Sequence, residues 1–147
     1  MKNEFKTAIF VVALSEYDQN LFEDRNKNRL EEAFEMFTEL ANSDLLRNST
    51  ILLYLNKSDL FTEKFLVKKI PLNISNKFPT APKDNDDIRV ATDWIVSEFV
   101  SRRKVQANKD PGMWVYLVTA TNSENTKEVF DKSKGIILKN SLSTGFL

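Results

Sequence analysis

Cysteine and histidine are both missing from this sequence. Without cysteine there is no disulfide, no thiol nucleophile and no zinc–thiolate site. Without histidine the usual general base near neutral pH is gone, along with Ser–His activation and the commonest metal ligand. Glycine is scarce, with only Gly112, Gly135 and Gly145 in the chain. A phosphate-cradling loop of the form Gly-x-x-x-x-Gly-Lys-[Ser/Thr] therefore has no place in it. Long apolar runs are absent too: the longest, residues 8–14, falls far short of the roughly 20 residues that span a bilayer. Neither sign of charge prevails, with 21 basic and 21 acidic residues. That balance points to no nucleic-acid groove and to no anionic membrane surface. Met1-Lys2-Asn3-Glu4 is neither a secretory signal nor a myristoylation signal, which requires glycine at the second position. A cytoplasmic chain without a lipidation motif or transmembrane segment is expected.

What is present suits one globular domain. Hydrophobic residues make up 41% of the 147, aromatics 11% and charged residues 29%. Three apolar runs read as strands: residues 7–14 (TAIFVVAL), 50–55 (TILLYL) and 113–120 (MWVYLVTA). The first two are nearly continuous, the pattern of parallel strands covered on both faces. Amphipathic helical stretches lie between and after them. In residues 26–41, Leu30, Ala33, Phe34, Phe37, Leu40 and Ala41 share one face, opposite Glu31, Glu32, Glu35 and Glu39. Residues 86–101 repeat the scheme with Ala91, Trp94, Ile95 and Phe99. Residues 125–142 do so with Val129, Phe130, Ile136 and Ile137, and a shorter helix is expected over residues 60–67. Trp94 and Trp114 both read as core residues. Strands alternating with helices predict an α/β fold of three mainly parallel strands with helices on both faces. Residues 71–85, rich in Pro and Asn, read as an exposed loop. Asp84, Asp86 and Asp87 read as a helix start, not as a cation site, and Arg102-Arg103-Lys104 as a basic helix end without a partner.

In open α/β sheets, ligands sit beyond the carboxyl ends of the strands. There the second run is followed by Asn56-Lys57-Ser58-Asp59, and the third closes on Thr119-Ala120-Thr121. Guanine offers two donors on one edge, N1–H and the exocyclic amine. A fixed carboxylate such as Asp59 can accept both in a charge-assisted pair, an arrangement that adenine does not match. The stem of Lys57 can lie over the ring while its ammonium stays wet. Asn56 can tie neighbouring loops together, and the backbone N–H of Ala120 can donate to guanine O6. Asn-Lys recurs at Asn26, Asn76 and Asn108, but nowhere else does Asp follow two positions after the lysine or an apolar strand precede. The competing reading is a polar strand-to-helix turn in which Asp59 caps the next helix and Lys57 is a solvated surface residue.

A longer pattern adds to this. Residues 7–18 (TAIFVVALSEYD), Asn28-Arg29-Leu30 through Phe37, residues 50–61 ending in Asn-Lys-Ser-Asp-Leu-Phe, Val118-Thr119-Ala120-Thr121 and residues 126–147 ending in Gly145-Phe146-Leu147 follow one another in order. Together they resemble the later part of the GTP-binding domain of heterotrimeric G-protein α subunits, with Thr119 where that family carries cysteine. The resemblance implies a partial P-loop GTPase-like domain over residues 1–147 and a role as a signalling transducer. By resemblance, Asn56, Lys57, Ser58, Asp59 and Ala120 form the guanine site, flanked by Thr119 and Thr121. The partners implied are a βγ dimer and a seven-helix receptor, the latter engaging residues 128–147. The family's phosphate loop, helical domain, switch I and switch II find no counterpart in the sequence. No catalytic residue, metal ligand or Mg²⁺ site is therefore expected, GTP or GDP binding should be weak, and hydrolysis by this chain negligible. The first strand should present an exposed apolar edge. The alternative role is a decoy that engages receptor through the C-terminal helix without nucleotide turnover.

Overall fold

A computed structural model describes residues 6–104 and 111–119 of the chain. Three strands, β1 (Thr7–Ala13), β2 (Thr50–Asn56) and β3 (Met113–Leu117), form one parallel sheet in the order β1-β2-β3. The register sets Val12 beside Leu55, and Leu55 beside Leu117. All three strands therefore deliver their carboxyl ends to the same rim, where the sequence motifs lie. Among the described residues β1 is an edge strand, the position that the family resemblance implied.

The first helix, α1 (Arg29–Ala41), begins three residues later than the apolar periodicity suggests. Asn28 is the reason. Its side-chain oxygen accepts from the N–H groups of Leu30 (2.8 Å) and Glu31 (3.2 Å), satisfying donors that the first turn leaves unpaired. Upstream, the chain folds into a tight turn closed by the Leu21 N–H on the Lys27 carbonyl at 2.8 Å. Leu30, Phe34, Phe37 and Ala41 are buried, whereas Leu40, expected beside them, lies on the helix flank and is 41% exposed. A second helix, α2 (Ser58–Thr62), leaves β2 almost at once and runs on into a π-helical turn, Glu63–Val67. The third, α3 (Ile88–Arg102), is capped by Asp87, whose carboxylate accepts from Arg89 N–H at 2.9 Å.

One core joins these helices to one face of the sheet. Ile51, Leu53 and Leu55 lie in it, with Ala8, Phe10, Val12, Met113 and Val115 packed against it. The seam between α1 and α3 is aromatic: the ring of Phe99 sits 4.7 Å from Phe34 and 5.3 Å from Phe37, and Trp94 stands edge-on to Phe34. The opposite face of the sheet carries Ile9, Val11 and Trp114, which are 46%, 63% and 53% exposed. Trp114 is thus not the core residue expected from its run. Strand alternation turns it away from the three described helices. The helix expected over residues 125–142 lies outside the described residues.

Two further segments differ from expectation. The loop over residues 71–85 is pinned by Leu72, Phe78 and Ala81, all buried. Arg103, read only as part of a basic helix end, is buried. It donates to the carbonyls of Gly112 (3.0 Å) and Ser49, tying the end of α3 to the starts of β2 and β3. Gly112 takes φ +89°, a backbone region that disfavours any side chain.

Candidate functional site

The rim at the carboxyl ends of β2 and β3 brings two of the sequence motifs together. Val118, just past β3, donates its N–H to the Leu55 carbonyl at 3.0 Å, extending the ladder by one bond. The Val118 carbonyl then accepts from the Ser58 N–H, also at 3.0 Å. The loop after β2 and the loop after β3 are therefore joined by backbone at the position preceding Asp59.

The path between strand and helix is unusually tight. Lys57 takes φ +57°, ψ +39°, in the left-handed region, where a side chain costs about 1–2 kcal/mol. The Asn56 side chain supports this corner by accepting from the Lys57 N–H at 2.8 Å. The Lys57 carbonyl starts the helix by accepting from Phe61 N–H at 3.0 Å, and Thr62 Oγ1 donates back to the Ser58 carbonyl at 2.8 Å. Asn56, Lys57, Ser58 and Asp59 are all half-buried, as is Thr119. Lys57, not Asp59, occupies the N-cap position. Asp59 lies inside the first turn of α2, so it is not the capping residue of the competing reading. Ala120 and Thr121 lie outside the described residues.

The helix bearing Asp59 is held from beneath by residues that no local pattern singled out. Phe61 is buried edge-on against the ring of Tyr17, with centroids 5.2 Å apart. Tyr17 is fully buried, and its hydroxyl donates to the Ile70 carbonyl at 2.7 Å. Burial first, and the Asp18 charge second, push its phenol far above the ordinary range. Lys64 Nζ donates to both the Ser15 carbonyl and the Asp18 carboxylate, each at 2.7 Å. Residues 15–18 and 61–70 are remote in sequence, and although Tyr17, Asp18 and Phe61 fall within the stretches that carry the family resemblance, nothing in the sequence showed that these segments meet.

The sequence matches a known family. The model of the G-protein alpha subunit family matches residues 1–137. The chain belongs to the G-protein α-subunit family. Among curated relatives, the guanine nucleotide-binding protein alpha-1 subunit of Caenorhabditis briggsae is 35% identical over 140 residues, covering 95% of this chain and 38% of the relative. The G(o) subunit alpha of Caenorhabditis elegans is 38% identical over 134 residues, covering 91% and 36%. The alpha-2 subunit of Kluyveromyces lactis is 39% identical over 134 residues, covering 91% and 23%. The chain thus spans less than two-fifths of the length of these α subunits.

Family membership fits the parallel α/β sheet described above. Among the described residues, no three carboxylates are grouped to hold a metal ion, and no helix is long and apolar enough to cross a membrane.

Proposed function

We propose that this chain carries the guanine-reading part of an α-subunit-type signal transducer, with Asp59 as the carboxylate that selects the base. The observation that carries this reading is the Ser58 N–H to Val118 carbonyl bond at 3.0 Å. It places the Asn56–Asp59 corner beside the strand end that leads into Ala120, so a carboxylate and a backbone donor from adjacent loops can address one purine edge. Asn56 stabilises the strained corner, and in this reading the Lys57 stem covers a ring face. A guanosine nucleotide would itself bring the phosphates and the reacting bond. The residues of this chain bind and orient the base only.

Three features of the sequence limit what this chain does by itself. It has no phosphate-loop motif, no Asp-x-x-Gly-Gln motif and no glycine before Gly112. We therefore propose a domain that retains base selection without transition-state stabilisation at the γ-phosphate. Charge-assisted hydrogen bonds contribute about 1.5–3 kcal/mol each, and immobilising the ligand offsets much of that. Affinity on the order of millimolar follows. Calorimetric or dialysis titration of the chain with GDP, GTP and ADP tests the reading. Weak binding that favours guanine over adenine supports it; equal affinity for the two bases, or micromolar affinity for GDP, overturns it.

Receptor engagement through residues 128–147 and pairing with a βγ dimer come to this reading from the family. A pull-down that compares the full chain with one lacking residues 140–147 tests the receptor contact, which should be lost on truncation.

A further inference from the structure

The turn that follows β1 is bound to the helix that carries Asp59 by a charge, a hydroxyl and a ring. Lys64 Nζ meets Asp18 Oδ1 at 2.7 Å, with side chains only 21% and 19% exposed. The same ammonium takes the Ser15 carbonyl at 2.7 Å. The Tyr17 hydroxyl reaches the Ile70 carbonyl, beyond the π-helical turn, and its ring supports Phe61, two residues after Asp59. Phe65, four residues further on, packs on Phe61 with centroids 5.9 Å apart. The turn itself is anchored from behind, because Asn28 Nδ2 donates to the Tyr17 carbonyl at 2.6 Å while capping α1. A continuous set of contacts therefore runs from the start of α1, through residues 15–18, to Phe61, Lys64 and Ile70 in and beyond the segment that begins at Ser58.

This matters because α2 is short and starts from a strained residue. Five residues of α-helix, Ser58–Thr62, make too few internal bonds to hold their own orientation. A site residue placed to within about half an ångström needs a supporting shell whose own geometry is locked. The half-buried ion pair at Lys64 is directional, since its second acceptor is a fixed backbone carbonyl.

We infer that Asp18 and Lys64 are positioning residues for the base-reading corner: the turn after β1 sets where Asp59 stands. The inference rests on the functional reading above, and deepens it by naming what controls that site.

Two measurements on the full chain test it. Amide hydrogen exchange at Ser58 reports the corner without any ligand. Asp18→Asn and Lys64→Met should each accelerate it about 10-fold or more while Leu53, in the centre of β2, keeps its protection. Phe99→Ala is the comparison, because general destabilisation should speed exchange at both sites together. The second readout is the preference for GMP over IMP by NMR titration, since IMP lacks the exocyclic amine that one Asp59 oxygen is proposed to accept. Both variants should reduce that preference toward the level of Asp59→Ala, and Asp18→Glu should restore part of it. Wild-type protection of Ser58 in either folded variant overturns the inference, whether or not a nucleotide binds. A wild-type chain that does not distinguish GMP from IMP overturns the functional reading instead, and Ser58 exchange then decides the positioning role alone.

Discussion

The Ser58 amide and the Val118 carbonyl, 60 positions apart in a chain of 147, meet at 3.0 Å. That bond closes the rim of the sheet at the Asn56–Asp59 corner, and it makes the proposed role of Asp59 testable. An Asn side chain at this position would present one donor and one acceptor in place of two acceptors. Asp59→Asn should therefore weaken GMP binding on the order of 10- to 100-fold. It should also improve binding of XMP, whose C2 carbonyl matches the new donor. Competition between the two nucleotides by NMR titration reads both effects. An unchanged preference would separate Asp59 from the base.

Lys57 holds a left-handed backbone without being glycine. Lys57→Gly should leave stability level or raise it by up to about 1 kcal/mol, as relief of the side-chain clash outweighs the entropy of the unfolded chain. Lys57→Val, β-branched at the same φ, should lower it by more than about 1 kcal/mol. Urea unfolding of the pair provides the comparison.

Asn28 serves two helices' worth of polar groups from a buried position: it caps α1 and donates to the Tyr17 carbonyl. Asn28→Ala removes the cap and strands a buried carbonyl, so a loss of about 2 kcal/mol or more is expected. Asn28→Asp should recover the capping part only. Thermal melts of the two variants separate the contributions.

Arg103 is the buried fork between Ser49 and Gly112. A lysine there cannot reproduce the planar fork, so Arg103→Lys should destabilise by about 1–3 kcal/mol despite keeping the charge. Denaturant titration should show a lower midpoint with an unchanged slope.

Tyr17 supplies a pH dependence of definite sign. Burial raises its folded-state pKa above the ordinary value of 10.0. The neutral phenol is therefore favoured by folding, and its contribution is complete below pH 10 and declines as the pH rises past it, because the unfolded phenol ionises first. Tyr54, also raised chiefly by burial, adds in the same direction. Stability should fall between about pH 10 and pH 12, and Tyr17→Phe should make that fall shallower. Urea midpoints across this range measure it.

Composition and patterning by themselves determined a good deal. The absence of cysteine and histidine removed whole classes of chemistry. The continuous runs at residues 7–14 and 50–55 marked parallel strands, and the i, i+3, i+4 stripes located α1 and α3 to within three residues. The corner at Asn56–Asp59 was legible because a strand end, a fixed tetrapeptide and a following helix are all local features. Strand facing at Trp114, the flank position of Leu40, the burial of Arg103 and the Tyr17–Asp18–Lys64 support were decided only by tertiary structure. Each depends on which surface a distant segment covers, and that is a property of packing between elements that no window of neighbouring residues contains. A periodic pattern says that a residue is apolar and on a given stripe. Only the assembled sheet and helices say whether something stands opposite it.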